Sequence, residues 1–346
     1  MRAARLHEYT DDMHDAFEIE EIPRPEIQSP NDVLVEIDGA GWCQTDNHIV
    51  EGMWTKYVDI DFPQTLGHEN AGTIAEVGED VTTVEPGDTV IVHPLDTCGE
   101  CRACRQGKDT YCENSAFPGM NRDGGFAEYL RTSARSVVPL PDDVDPTTVA
   151  PHADAGITAY HTVKKAVGGL NPGDYAIVLG IGGLGHIGLQ ALDAMSAAKI
   201  IAIDVKEAAL GLAETLGADH TIDSSSTDVG TAIEEITDGE GAQQAIDFVG
   251  RDDTLALTED MLALGGDHHV AGYGGHLHET SQTLVHGEWA YRGSLIGQYT
   301  ELQELMALVA QGDVELQTET YDLAEINDVA AMLEAGEIEG RAVLVP

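Results

Sequence analysis

The stretch Tyr175-Ala176-Ile177-Val178-Leu179-Gly180-Ile181-Gly182-Gly183-Leu184-Gly185 decides the fold. Tyr175–Leu179 is a short apolar run closed by glycine, which reads as a buried strand, and Gly183–Ala197 reads as the helix after it. Between them stands G-x-G-x-x-G. The pattern alone is weak, but set between a strand and a helix it is specific. Its glycines permit a tight turn and let the backbone approach a pyrophosphate, which rests on the positive end of the helix dipole. Gly180, Gly182, Gly183, Leu184 and Gly185 are therefore the candidate cofactor turn. Nineteen residues past Gly185, the strand Ile200–Asp204 ends in a carboxylate. Asp204 at that place would bind ribose hydroxyls and repel a 2′-phosphate, favouring NAD over NADP, with Lys206 the nearby cation that could soften the preference.

Working outward, Glu207–Leu216 reads as the next helix, and Ala245–Val249, His269–Gly272 and Ser294–Gly297 as later strands, the alternation of a parallel βαβ sheet. Upstream the texture is β-rich: Val33–Ile37, Gly72–Val77, Thr89–Val92, Ala127–Leu130 and Val137–Leu140 are short runs separated by Pro, Gly and Asp. Downstream come an amphipathic helix, Leu302–Ala310, and a last strand, Ala342–Val345. A chain of 346 residues carries about two domains. The expected organisation is α/β, with a doubly wound parallel-sheet domain at 156–297 inserted into a β-rich domain at 1–155 that resumes at 298–346.

Lys and Arg total 17 against 62 Asp and Glu, a formal charge of −45. Nucleic acid and anionic membrane are excluded as partners by like charge. A composition 42% hydrophobic with 38 glycines argues for a packed globule rather than an acidic disordered chain. What remains is an evenly acidic surface suited to concentrated salt, where a Debye length of about 3 Å at 1 M screens the self-repulsion. The sequence thus points to a halophile. The N-terminal MRAARLHEYTDDMHD lacks the apolar core of a signal peptide, and the expected location is the cytoplasm.

Five cysteines in such a chain suggest metal or catalysis rather than disulfides. Cys98, Cys101, Cys104 and Cys112 stand as C-x2-C-x2-C-x7-C in a lobe at 96–113 with little apolar surface to bury. A closed tetrahedral zinc would organise it, in a structural role. The rival iron–sulfur pattern ends C-x3-C-P instead. The fifth cysteine lies in Gly41-Trp42-Cys43-Gln44-Thr45-Asp46-Asn47-His48, and Gly67-His68-Glu69 follows. These offer N, S and O ligands for a second, open metal site.

Together, C-x-T-D-x-H, G-H-E, the four-cysteine lobe, the dinucleotide turn and Gly340-Arg341-Ala342-Val343-Leu344 resemble the zinc-dependent medium-chain alcohol dehydrogenases, in the same order and over nearly the whole chain. The resemblance implies a GroES-like catalytic domain beside a Rossmann coenzyme domain, and two zincs per chain, one structural and one catalytic. It places the catalytic ligands on Cys43, His68 and a residue of Pro151–Thr158 where cysteine is common in the family and this chain has Asp154. Glu69 stands beside them, and Asp46 would fix the tautomer of His68. An open zinc acts as a Lewis acid and lowers the pKa of an alcohol, as it does that of water. Thr45 would take the proton, and a cofactor ribose and then His48 would carry it to solvent. Trp54 resembles an aromatic wall of the substrate pocket, or is a plain core tryptophan. Thr158 would lie by the nicotinamide, and Arg341 would pair with the pyrophosphate. The implied activity is NAD-dependent interconversion of alcohols with aldehydes or ketones by a homotetramer. A polyol or sugar dehydrogenase of the same superfamily is the alternative, and a non-catalytic protein that docks a partner through its zinc lobe is the rival of another class.

Overall fold

A computed structural model describes residues 1–56, 60–338 and 340–346. The chain forms two compact units: Met1–Ala155 with Gln298–Ala310 and Leu316–Pro346, and Gly156–Gly297 with Gln311–Glu315.

The first unit begins with an antiparallel pair, β1 (Arg2–Leu6) and β2 (Phe17–Glu21). Its main strands are β3 (Asp32–Gly41), β4 (Glu69–Val77), β5 (Thr89–Val92), β6 (Tyr129–Ser133) and β7 (Val137–Pro139). In the second unit are β8 (Tyr175–Leu179), β9 (Lys199–Asp204), β10 (His220–Asp223), β11 (Ala242–Asp247), β12 (Leu262–Val270) and β13 (Ala290–Gly293). The chain then returns to the first unit with β14 (Thr318–Asp322) and β15 (Arg341–Val345). The first unit's sheet runs β14-β15-β3-β4-β5-β7, with β6 paired to β3. Alternation sends Val33, Val35, Ile74, Val90 and Leu344 into one core, where the Trp42 and Phe126 rings stack 4.9 Å apart. β15 pairs antiparallel with β3, Val343 opposite Gly41, so the downstream segment flanks the end of the strand from which the chain runs on to Cys43.

The second unit holds a six-stranded parallel sheet, β10-β9-β8-β11-β12-β13. Its central strands are buried on both faces and so read as continuous apolar runs; Ile177, Leu179, Ile201, Ile203 and Ala245 share one core. One expected strand is corrected. Ser294–Gly297 is not extended: Ile296 has φ of 51°, Leu295 is exposed, and the strand is the preceding Ala290–Gly293, paired to Asp267–Val270. The strand that forms is instead the less apolar Ala-Tyr-Arg-Gly. Among the described residues no helix is long and apolar enough to cross a membrane.

Candidate metal and dinucleotide sites

The lobe is built by its own backbone. Cys101 N donates to Cys98 Sγ at 3.4 Å, Cys104 N to Cys101 Sγ at 3.5 Å, and Cys98 N to Cys112 Sγ at 3.4 Å. Sulfur–sulfur distances are 3.5 Å for Cys101–Cys104, 3.6 Å for Cys98–Cys112 and 3.9 Å for Cys98–Cys104. These are far beyond a bonded disulfide. A tetrahedron with metal–sulfur bonds of about 2.3 Å has edges of about 3.8 Å, so the four sulfurs fit one zinc. Backbone N–H groups of Glu100 and Cys101 draw the Cys98 thiol down to about 6, whereas burial pushes Cys104 up to about 12. Arg135 ties the lobe's Asp109 at 2.7 Å.

The second cluster is gathered from three places. Cys43 stands two residues past the end of β3, as the N-cap of the helix Gln44–Val50; His68 immediately precedes β4 and Glu69 opens it; Asp154 precedes the helix Ala155–Val167. One ligand atom from each of the four lies within 4.8 Å of the others. Asp46 holds the geometry: one carboxylate oxygen accepts from Cys43 N at 3.1 Å and the other meets His68 Nδ1 at 3.2 Å. With Nδ1–H assigned to that bond, the lone pair of Nε2 faces the cluster, 3.4 Å from Asp154 Oδ2 and without a hydrogen-bond partner, although His68 is wholly buried. A buried, unbonded imidazole nitrogen beside a thiol and two carboxylates is the donor set a zinc ion fits. Burial opposes a charge on His68, but in the metal-free chain Asp46 and Asp154 outweigh it and raise the imidazole's pKa well above its usual value, so a metal on Nε2 would displace a proton there.

Glu69 does more than stand by. Its Oε1 accepts from Ala155 N at 3.1 Å, and its Oε2 takes a short hydrogen bond from the Arg341 guanidinium, which also donates to Trp42 O at 3.1 Å. Burial pushes Glu69 up to about 7 against the pull of Arg341 and His68. Gly41 is required beside it, since a Cβ there would come within 2.2 Å of Glu69 Oε2. The buried Glu69–Arg341 pair escaped sequence reading, which gave Arg341 to the cofactor. The available signal was a lone arginine heading an otherwise apolar strand in an arginine-poor chain.

Thr45 and His48 lie half-buried on the helix Gln44–Val50, and burial lowers the pKa of His48. Trp54 is half-buried and packs against the first unit's core. In the second unit, Gly180 has φ of 81°, and a Cβ on Gly185 would fall 1.7 Å from Gly180 O, so turn and helix meet backbone to backbone. Around Gly182 a Cβ would meet no protein atom within 4 Å, which leaves that face open to a phosphate. Asp204 Oδ2 accepts from Ile181 N at 2.7 Å, tying the end of β9 to the turn. Thr158 is half-buried, its carbonyl accepting from Thr162 Oγ1 at 2.7 Å.

Residues 29–142 match the model of the alcohol dehydrogenase GroES-like domain, and residues 183–311 that of the zinc-binding dehydrogenase. The chain belongs to the zinc-dependent medium-chain alcohol dehydrogenase family, with a GroES-like domain and a Rossmann domain. It is 35% identical to an NAD-dependent alcohol dehydrogenase of Sulfurisphaera tokodaii, over 100% of both chains. It is also 35% identical to a D-arabinose 1-dehydrogenase (NADP(+)) of Saccharolobus solfataricus, over 100% of this chain and 97% of that one. The crystal structure of the alcohol dehydrogenase from the hyperthermophilic archaeon Aeropyrum pernix matches with a TM-score of 0.94 and 48% identity, covering 100% of each chain.

Proposed function

We propose that this protein is a zinc-dependent alcohol dehydrogenase that oxidises primary or secondary alcohols to aldehydes or ketones, reversibly, with NAD as hydride acceptor. The observation that carries the reading is the buried cluster of Cys43, His68, Glu69 and Asp154 with His68 Nε2 turned into it. Cys43, His68 and Asp154 hold the catalytic zinc, and the four lobe cysteines hold a second, structural zinc. Zinc bound at the open site supplies Lewis acidity, which favours the deprotonated form of an alcohol. Thr45 Oγ1 accepts the alcohol's proton, and His48, whose pKa burial lowers, has a ring nitrogen to receive it on the way to solvent. Asp46 keeps His68 in the tautomer that presents Nε2. Gly180, Gly182, Gly183, Leu184 and Gly185 cradle the pyrophosphate, Asp204 takes the adenosine ribose hydroxyls, Thr158 lies by the nicotinamide, and Arg341 serves the pyrophosphate beside its bond to Glu69. Trp54 lines the substrate pocket. The balanced reaction is alcohol plus NAD+ giving carbonyl compound, NADH and one proton.

The test is NADH absorbance on propanol, cyclohexanol, sorbitol and glucose, with NAD and with NADP, in concentrated salt. Turnover of the simple alcohols, at least about tenfold better with NAD (about 1.4 kcal/mol), is expected, and Asp204→Ser should narrow that gap. Turnover confined to sorbitol or glucose moves the reading to a polyol or sugar dehydrogenase, which the similarity to a D-arabinose 1-dehydrogenase favours as the second reading.

The acidic composition supports a halophilic protein, and the family resemblance a cytoplasmic homotetramer. At −45, neighbouring carboxylates repel across the Debye length of about 30 Å at 0.01 M salt. Activity and thermal midpoint should therefore fall below a few tenths molar KCl and recover in molar salt. A flat profile across a KCl series would sink the salt adaptation.

A further inference from the structure

We propose that Asp252, His276 and His278 form a third metal site, for a divalent transition ion of the zinc class. None of the three serves the clusters or the dinucleotide turn described above. One ligand atom from each lies within 4.8 Å of the other two. His276 and His278 stand two apart in the segment after β12, with their rings 5.9 Å between centroids and inclined by 30°. Asp252 lies just beyond β11, at the start of the short helix Asp252–Leu255.

Backbone packing sets this juxtaposition. Gly275 N donates to Gly250 O at 2.8 Å, and a Cβ on Gly275 would come within 2.5 Å of Arg251 C and 2.6 Å of Asp252 N. With no side chain to separate them, the two segments bring Asp252 under His276. His276 N donates to Asp252 Oδ1 at 2.6 Å, and His276 Nδ1 lies 3.3 Å from the same oxygen. Both contacts fall on Oδ1, so Oδ2 keeps its lone pairs for a cation.

The donor set selects the ion. Two imidazoles and one carboxylate suit zinc, nickel or copper, whereas calcium and magnesium prefer all-oxygen shells. Donors around a four-coordinate zinc sit about 3.4 Å apart, and rotation of these exposed side chains closes the difference. The side chains of His276 and Asp252 are 74% and 61% exposed, so an ion reaches them from solvent and keeps water in its remaining positions.

The experiment is calorimetric titration of the zinc-loaded enzyme with further Zn2+, near pH 7.5 in about 1 M KCl to suppress diffuse binding to the acidic surface. One further saturable equivalent is expected, weakened about tenfold or more by the double substitution His276→Ala, His278→Ala, and also by Asp252→Asn. His7→Ala, in the other exposed cluster with Glu18 and Glu20, should leave it unchanged. Thermal midpoints without added metal confirm that the variants are folded. No further saturable equivalent, or one that survives the double substitution, overturns the proposal. Dehydrogenase activity does not enter the readout, so failure here and failure of the proposed function are distinguishable.

Discussion

The lobe and the Cys43 cluster offer donor atoms at similar spacing, yet they are assembled by different means. In the lobe, every ligand falls within Cys98–Cys112, and three of the sulfurs, those of Cys98, Cys101 and Cys112, accept backbone N–H groups of the lobe itself. In the other, ligands from residues 43, 68, 69 and 154 are held by a β-sheet, by Asp46 and by the Glu69–Arg341 pair. Four thiolates close a metal off, whereas one thiolate, one imidazole and carboxylates leave room for a substrate oxygen. A local site depends on its metal for order. A site gathered from distant strands takes its order from the fold.

That contrast can be broken most directly at Asp154. Asp154→Ala should lower kcat/KM by about 1,000-fold, about 4 kcal/mol of barrier, and reduce zinc at that site while the thermal midpoint barely moves. Normal zinc content and turnover in this variant would shift the third ligand to Glu69. Next in size is Glu69→Gln, which leaves the buried Arg341 guanidinium with an uncompensated charge. It should cost about 3–5 kcal/mol of stability in chemical denaturation. Little change would mean that Trp42 O and solvent suffice for Arg341. The smallest effect belongs to the lobe: Cys101→Ser with Cys104→Ser should remove one zinc per chain and cost about 2 kcal/mol, a shift of a few degrees. Proteolytic sensitivity should rise within 96–113, and kcat should stay within a few-fold of wild type. A lobe variant that loses turnover at full stability would erase the distinction between the two clusters.

Much of this was legible in the sequence because the signals are local. β8 lies at Tyr175–Leu179 and β5 at Thr89–Val92, where the apolar runs put them, and the lobe cysteines meet as their spacing requires. Cys43 and His68 could be paired by ligand chemistry, but Asp154 joined them only through the family resemblance, since nothing local links residue 43 to residue 154. β12 starts at Leu262, well ahead of the His269–Gly272 expected, because Gly265, Gly266 and Asp267 interrupt its apolar run. β14, Thr318–Asp322, is largely polar and exposed at the sheet's end, and it owes its extended form to pairing with β15 rather than to its own composition. The Glu69–Arg341 pair was hidden for the same reason: partners 272 residues apart leave no periodic trace.

That separation has a consequence for the newly made chain. At roughly 5–20 residues per second, about 15–55 s pass on the ribosome between the synthesis of Glu69 and that of Arg341. In that interval all of Gly156–Gly297 emerges and can fold as a unit. Until Arg341 is made, Glu69 has no such partner. The strand from which the chain runs on to Cys43 lacks β15 over the same interval. The arginine that pairs with Glu69 is thus among the last parts delivered, and the order of translation itself delays the completed Cys43 cluster until Gly156–Gly297 has been made.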